Sequence, residues 1–170
     1  MQERKEAVAM KGNPLTLLGP ELKAGDKAPG FTVLDGDLSE VAFSPGSSQG
    51  TVLMSVPSLD TGVCDTEVRK FNQEIDKLDG NVTGWAISMD LPFAQARWCG
   101  AAGVQTVKTF SDHRDADFGQ KYGVLIKELR LLARSVFVVD ADGVIRHVEL
   151  VKEVTDEPDY GAALDAVRAL

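Results

Sequence analysis

Cysteine is almost missing from this chain: Cys64 and Cys99 are the only two in 170 residues. Histidine is as scarce, with His113 and His147 alone. Such a set lacks the short paired ligand spacing of a structural zinc site. The cysteines stand 35 residues apart, so they do not form a Cys-x-x-Cys redox motif. No apolar stretch approaches the roughly 18–20 residues of a membrane span, and no membrane partner is expected. Basic runs are absent too. With 18 basic against 26 acidic side chains the net charge is −8, and non-specific attraction to nucleic acid or acidic lipid is excluded because the phosphate term is repulsive. The opening "MQERKEAVAMKGNP" mixes both signs of charge with no apolar run behind it. It does not read as a secretory signal, and a reducing, cytoplasmic setting is expected. There a permanent disulfide is disfavoured, while a transient catalytic one is allowed.

What is present is the composition of a packed domain. Hydrophobic residues make up 44% and charged residues 26%, which at this length implies one domain over 1–170 with a sizeable core. Residues 5–10 and 14–18 flank the turn-rich "KGNP" and read as a hairpin, the core of an extension over 1–19. "FTVLDGDLSEVAF" reads as a second hairpin around Asp35-Gly36. "TVLMSV" from Thr51 is a continuous apolar run, as in a strand covered on both faces. Val68, Phe71, Ile75 and Leu78 recur at 3,4,3 spacing and predict a helix over 63–78. A buried strand over 82–88, a short helix over 92–101, a strand over 106–110 and a short helix over 115–122 follow. Residues 135–151 are two strands around an Ala141-Asp142-Gly143 turn, and 159–169 close with a helix. The alternation β-α-β-α-β-α-β-β-α predicts a mixed central sheet flanked by helices, a thioredoxin-like α/β fold.

Cys64 stands at the start of the 63–78 helix, four residues before Val68 and on the same apolar face. First-turn N–H groups lack intrahelical partners and favour an anion. A thiol of ordinary pKa, about 8.5, is ~3% ionised at pH 7, against ~90% for one near 6. That gap is roughly 3.4 kcal/mol at about 1.36 per unit. A helix terminus supplies about 0.3–1 kcal/mol, so a further positive or hydrogen-bonding group is required. Thr61 is placed as an N-cap or as a hydrogen-bonding group at the sulfur. Arg134, in "LLARSVFVVD", is placed as the charge partner of the thiolate, as half of a structural ion pair, or as a side chain exposed to solvent at the strand edge. Cys99, in a helix that ends in glycines, is either a packed core thiol or a thiol on an element that frays cheaply.

"PSLDTGVC" contains Pro-x-x-x-Thr-x-x-Cys and resembles the peroxidatic signature of peroxiredoxins. "PSLDTGVCDTEVRKFN", "DLPFAQARWCGAAGV", "SDHRDADFGQKYGV" and "LLARSVFVVDADG" resemble the thiol peroxidase subfamily, in order and over nearly the whole chain. The resemblance implies an atypical two-cysteine peroxidase. On it Cys64 falls on the peroxidatic cysteine, Thr61 and Arg134 on the residues that orient it, Pro57 on the proline that shields the pocket, and Cys99 on the resolving cysteine. It further implies a disulfide within one chain, alkyl hydroperoxides and hydrogen peroxide as substrates, thioredoxin as reductant, a homodimer, and no cofactor or metal. Trp98 stands where phenylalanine is frequent, beside the resolving position. Three other classes fit some of the same residues: a redox sensor or holdase, a cysteine hydrolase using His113 or His147, and a binding module with two core cysteines. Neither histidine sits in a segment that points to the thiol.

Overall fold

The structure, a computed structural model, describes residues 1–78 and 81–170. Its elements run β1 (Glu3–Met10), β2 (Asn13–Leu18), β3 (Phe31–Leu34), β4 (Glu40–Phe43), β5 (Gly50–Ser55), α1 (Gly62–Asp76), β6 (Val82–Ser88) and α2 (Pro92–Ala102). They continue as β7 (Val107–Ser111), α3 (Asp117–Lys121), β8 (Leu125–Ile126), β9 (Ser135–Asp140), β10 (Ile145–Leu150) and α4 (Tyr160–Arg168). Every predicted element is there. β8 is the addition: at two residues it is too short to leave a period in the sequence.

Seven strands form one sheet in the order β10-β9-β5-β6-β7-β3-β4. β5, β6 and β7 are parallel, and β9, β10, β3 and β4 join antiparallel. This is the mixed, helix-flanked sheet of a thioredoxin-like fold. The second hairpin, β3–β4, is therefore part of the main sheet. The first hairpin forms a separate small sheet with β8, in the order β1-β2-β8.

All six residues of β5 are buried, because the sheet is covered on both faces. Val52 and Met54 point into one core with Val68, Phe71 and Ile75 of α1, Trp98 of α2 and Ala163, Leu164 and Val167 of α4. Leu53 points into the other, with Phe31, Phe43, Phe118, Tyr122 and Phe137. Period-2 alternation along one strand thus feeds two layers.

The register of this sheet places the site. β5 and β9 are antiparallel with Ser55 opposite Ser135. The end of β5 and the start of β9 are therefore neighbours. The loop 56–61 leaves the first, and Arg134 precedes the second.

Candidate active site

Thr61 caps α1 from extended backbone, φ −100° and ψ 147°. Its hydroxyl accepts from the Cys64 N–H at 3.4 Å and donates to the Ser58 carbonyl at 3.1 Å. The structure thus uses Thr61 as a cap. A hydroxyl has two acceptor lone pairs, so a second one is left for a ligand. The N–H groups of Gly62 and Val63 lie in the first turn, beyond reach of intrahelical acceptors.

The loop before α1 is held from below by Asp90, which the sequence reading did not single out. Its carboxylate accepts from Ser58 Oγ at 2.7 Å, from the Leu59 N–H at 2.9 Å and from Ser88 Oγ at 2.7 Å. One carboxylate therefore ties the end of β6 to the residues between Pro57 and Thr61.

Cys64 is 0% exposed. Its helical neighbours on the buried face are Glu67, Val68 and Phe71. Glu67 is the second residue that sequence reading missed. The signal was present: an acid three residues after Cys64 shares its face, and a charge on an apolar face needs a partner.

That partner is Arg134, itself only 2% exposed. Its Nη1 donates to Glu67 Oε2 at 2.7 Å, while Nε and Nη2 donate to the Val154 carbonyl at 3.1 and 3.0 Å. Burial works against the guanidinium charge. The neighbouring Cys64 sulfur and the Glu67 carboxylate outweigh it and hold its pKa above the usual arginine value. The structure makes Arg134 half of a buried ion pair and sets it near the Cys64 sulfur. The planar fork of arginine suits this, since three of its nitrogens reach Glu67 and the Val154 carbonyl together.

Glu67 responds in the opposite sense. Burial pushes its carboxyl up to about 7, against the pull of the Arg134 charge and hydrogen bond. Its Oε1 has no hydrogen-bond partner among the described residues. A carboxyl with a raised value in the folded protein binds its proton more tightly there than in the unfolded chain. That stabilisation is complete below the unfolded value near 4.5 and is lost as pH rises through about 7. The expected result is that stability relative to Glu67→Gln falls between about pH 5 and pH 8. Thermal melts of both proteins across that range check it, and parallel pH profiles would count against it.

Above this pair lies a cavity of about 130 Å³, lined by Pro57, Thr61, Gly62, Val63 and Arg134, with Met10, Val154 and Thr155 closing the far side. Pro57, Thr61 and Arg134 are thus brought together. Met10 comes from the N-terminal hairpin, which backbone bonds clip to the loop after β10: Ala9 N–H to Lys152 O at 2.7 Å and Val154 N–H to Ala9 O at 2.8 Å. Neither His113 nor His147 is among the lining residues. Among the described residues no group of three or more acidic, histidine or cysteine side chains is arranged to hold a metal, and no helix is long and apolar enough to cross a membrane.

Cys99 lies on α2, half-buried against the same core cluster as Cys64. Its sulfur is 3.1 Å from Thr109 Oγ1 on β7. Both cysteines are free thiols. Cys64 is not among the residues that line the cavity, but the three before it and Arg134 are; a buried thiol at a capped helix start, an arginine near it and a small apolar-walled cavity alongside suit attack by sulfur on a small, weakly polar electrophile once the thiol is reached.

Comparison with known proteins agrees with that chemistry. The Redoxin family matches residues 23–164. The thiol peroxidase of Halalkalibacterium halodurans is 54% identical over 163 residues, covering 96% of this chain and 98% of the relative. The thiol peroxidase of Bacillus subtilis is 52% identical, covering 96% and 97%. Among solved structures, a peroxiredoxin-like protein from Aquifex aeolicus superposes with a TM-score of 0.90 at 44% identity, over 96% of each chain. A thiol peroxidase from Chromobacterium violaceum shares the fold, with a TM-score of 0.82 at 22% identity over 95% and 93%.

Proposed function

The chain belongs to the redoxin family and is a peroxiredoxin-type thiol peroxidase; from that premise we propose that it reduces alkyl hydroperoxides and hydrogen peroxide through a Cys64 sulfenic acid and a Cys64–Cys99 disulfide. The observation that carries this reading is the juxtaposition of the capped, buried Cys64, the buried Arg134, and a cavity lined by Arg134 and by Thr61, Gly62 and Val63, the three residues before Cys64; Cys64 itself lies beneath that lining.

The peroxide enters with one oxygen toward Cys64. Its O–H donates to the free lone pair of Thr61 Oγ1, and Arg134 with the first-turn N–H groups donates to the oxygens as negative charge moves outward. The thiolate attacks the near oxygen and the O–O bond breaks. The departing alkoxide or hydroxide takes a proton and leaves as alcohol or water, and the sulfur is left as sulfenic acid. Pro57 and the apolar wall restrict water and shield the oxidised sulfur. The first turn of α1 and the end of α2 then loosen, because a disulfide needs Cα atoms within about 4.4–6.8 Å. Cys99 attacks the sulfenic sulfur, water leaves, and the S–S bond forms. A dithiol protein, thioredoxin in our reading, reduces it by thiol–disulfide exchange. We take residues 1–170 as one domain, acting as a homodimer in the cytoplasm.

A peroxide titration followed by intact mass tests the disulfide. One equivalent of peroxide is expected to remove about two mass units from the wild type. Cys99→Ser is expected to complete one turnover, stop, and then gain further oxygens as sulfinic and sulfonic acid. If Cys99→Ser instead cycled with thioredoxin at the full rate, the resolving role of Cys99 would be lost.

A further inference from the structure

The residues next to the two cysteines are bonded to each other. Asp65 follows Cys64, and Trp98 precedes Cys99. Trp98 Nε1 donates to Asp65 Oδ1 at 2.7 Å. Arg69, one turn along α1, donates from Nε to Asp65 Oδ2 at 2.9 Å. The same guanidinium reaches across to α2: Nη1 donates to the Ala102 carbonyl at 3.2 Å, and Cζ lies 5.8 Å from the centroid of the Trp98 ring. Two helices are thus joined by one carboxylate, one indole and one guanidinium, the first two on the residues next in sequence to the two cysteines.

The rest of α2 is held differently. Its N-terminal half is anchored to the sheet by buried Gln95, whose Nε2 donates to Ser88 Oγ at 3.0 Å and to the Phe110 carbonyl at 2.8 Å. Its C-terminal half ends at Gly103 in the left-handed region, φ 67°, where glycine carries no steric cost. Fraying from Gly103 back through Trp98 leaves the Gln95 anchor untouched. The side-chain bonds that oppose it are Trp98 Nε1 donating to Asp65 and Arg69 Nη1 donating to the Ala102 carbonyl, together with the Cys99–Thr109 contact. Unwinding the first turn of α1 meets the same obstacle, since Asp65 is in that turn.

We propose that Asp65, Trp98 and Arg69 form a latch whose release sets the rate at which Cys99 reaches Cys64. They are positioning residues and touch no substrate. The proposal rests on the Cys64–Cys99 disulfide put forward above. It has a chemical consequence. While the latch is closed the sulfenate waits, and a second hydroperoxide can deliver another oxygen to it, releasing a second alcohol and leaving a sulfinate. A tight latch therefore trades speed of disulfide closure for sensitivity to excess peroxide. Phenylalanine at position 98 would keep an aromatic ring in the core but lack the N–H donor and part of the indole's volume.

The test is rapid mixing with hydroperoxide, quenching with an alkylating reagent, and mass analysis of thiol, sulfenate, disulfide and sulfinate against time. Wild type, Trp98→Phe, Asp65→Ala and the double variant are compared. Each single variant is expected to close the disulfide about fivefold to tenfold faster, as loss of one charge-assisted bond implies. The second-order constant for the first oxidation is expected to stay within about twofold, and sulfinate at high peroxide to fall. Trp98→Phe removes the indole bond alone, whereas Asp65→Ala removes it together with the Arg69 bond, so the double variant is expected to match Asp65→Ala; a general loosening of the fold would multiply the two effects. Disulfide closure at an unchanged or slower rate in both Asp65→Ala and Trp98→Phe overturns the latch. A wild type that consumes peroxide without forming a disulfide overturns the Cys64–Cys99 reading itself, and is told apart by the missing loss of mass.

Discussion

Replacing Cys64 with serine is expected to reduce peroxide consumption to the rate seen without protein. A fall on the order of 10⁴–10⁶-fold is in line with removal of an enzyme nucleophile. Serine keeps the size of the side chain and the hydrogen-bonding shell, but its hydroxyl does not ionise near neutral pH, and oxygen cannot accept an oxygen atom as sulfur does. The site itself should survive. Cys64 is fully buried in an apolar cluster, so the added hydroxyl costs about 1–3 kcal/mol unless it finds a partner. That is a loss a folded domain can absorb. The check is peroxide loss with thioredoxin, its reductase and NADPH, alongside a thermal melt. Peroxide turnover by a folded Cys64→Ser protein would show that another group carries the chemistry.

How far the sequence reached depended on how local each feature is. Cys64 and the face of α1 could be read from spacing alone, because a helix brings i, i+4 and i+7 together without help from the rest of the chain. Thr61 as cap was legible for the same reason. Glu67 was within reach of that argument but lies between the apolar positions that set the pattern. The far wall of the cavity was out of reach. Met10 and Val154 meet only because Ala9 bonds with Lys152 and Val154, more than 140 residues away in sequence. β8 is similar: Leu125 and Ile126 become a strand through pairing with Leu18 and Leu17, not through any preference two residues can express. Arg134 fell between the cases. Its place before a buried strand was visible, but both of its partners are non-local, so three readings stayed open until the register of β5 and β9 set it beside α1.

Arg134→Ala is expected to lower kcat/KM for hydroperoxide by about 10²–10³, the usual effect of removing one donor aimed at developing charge. It is also expected to cost about 3–5 kcal/mol of stability, because Glu67 is left buried without its cation and the Val154 carbonyl loses both Arg134 donors. The two losses have different origins and can be separated. In the Arg134→Ala, Glu67→Gln double variant no carboxyl has to be protonated or left ionised in the core, so a large share of the stability should return. The rate should not, since neither alanine nor glutamine supplies a cation beside the sulfur. Arg134→Lys should fall between: the charge is kept, but a single ammonium cannot reproduce the fork that reaches Glu67 and Val154 together. Single-turnover rates and denaturant midpoints on these three variants, measured side by side, decide the matter. If the double variant regained rate in step with stability, Arg134 would be a support for the fold and the charge on the thiolate would have to be balanced from elsewhere.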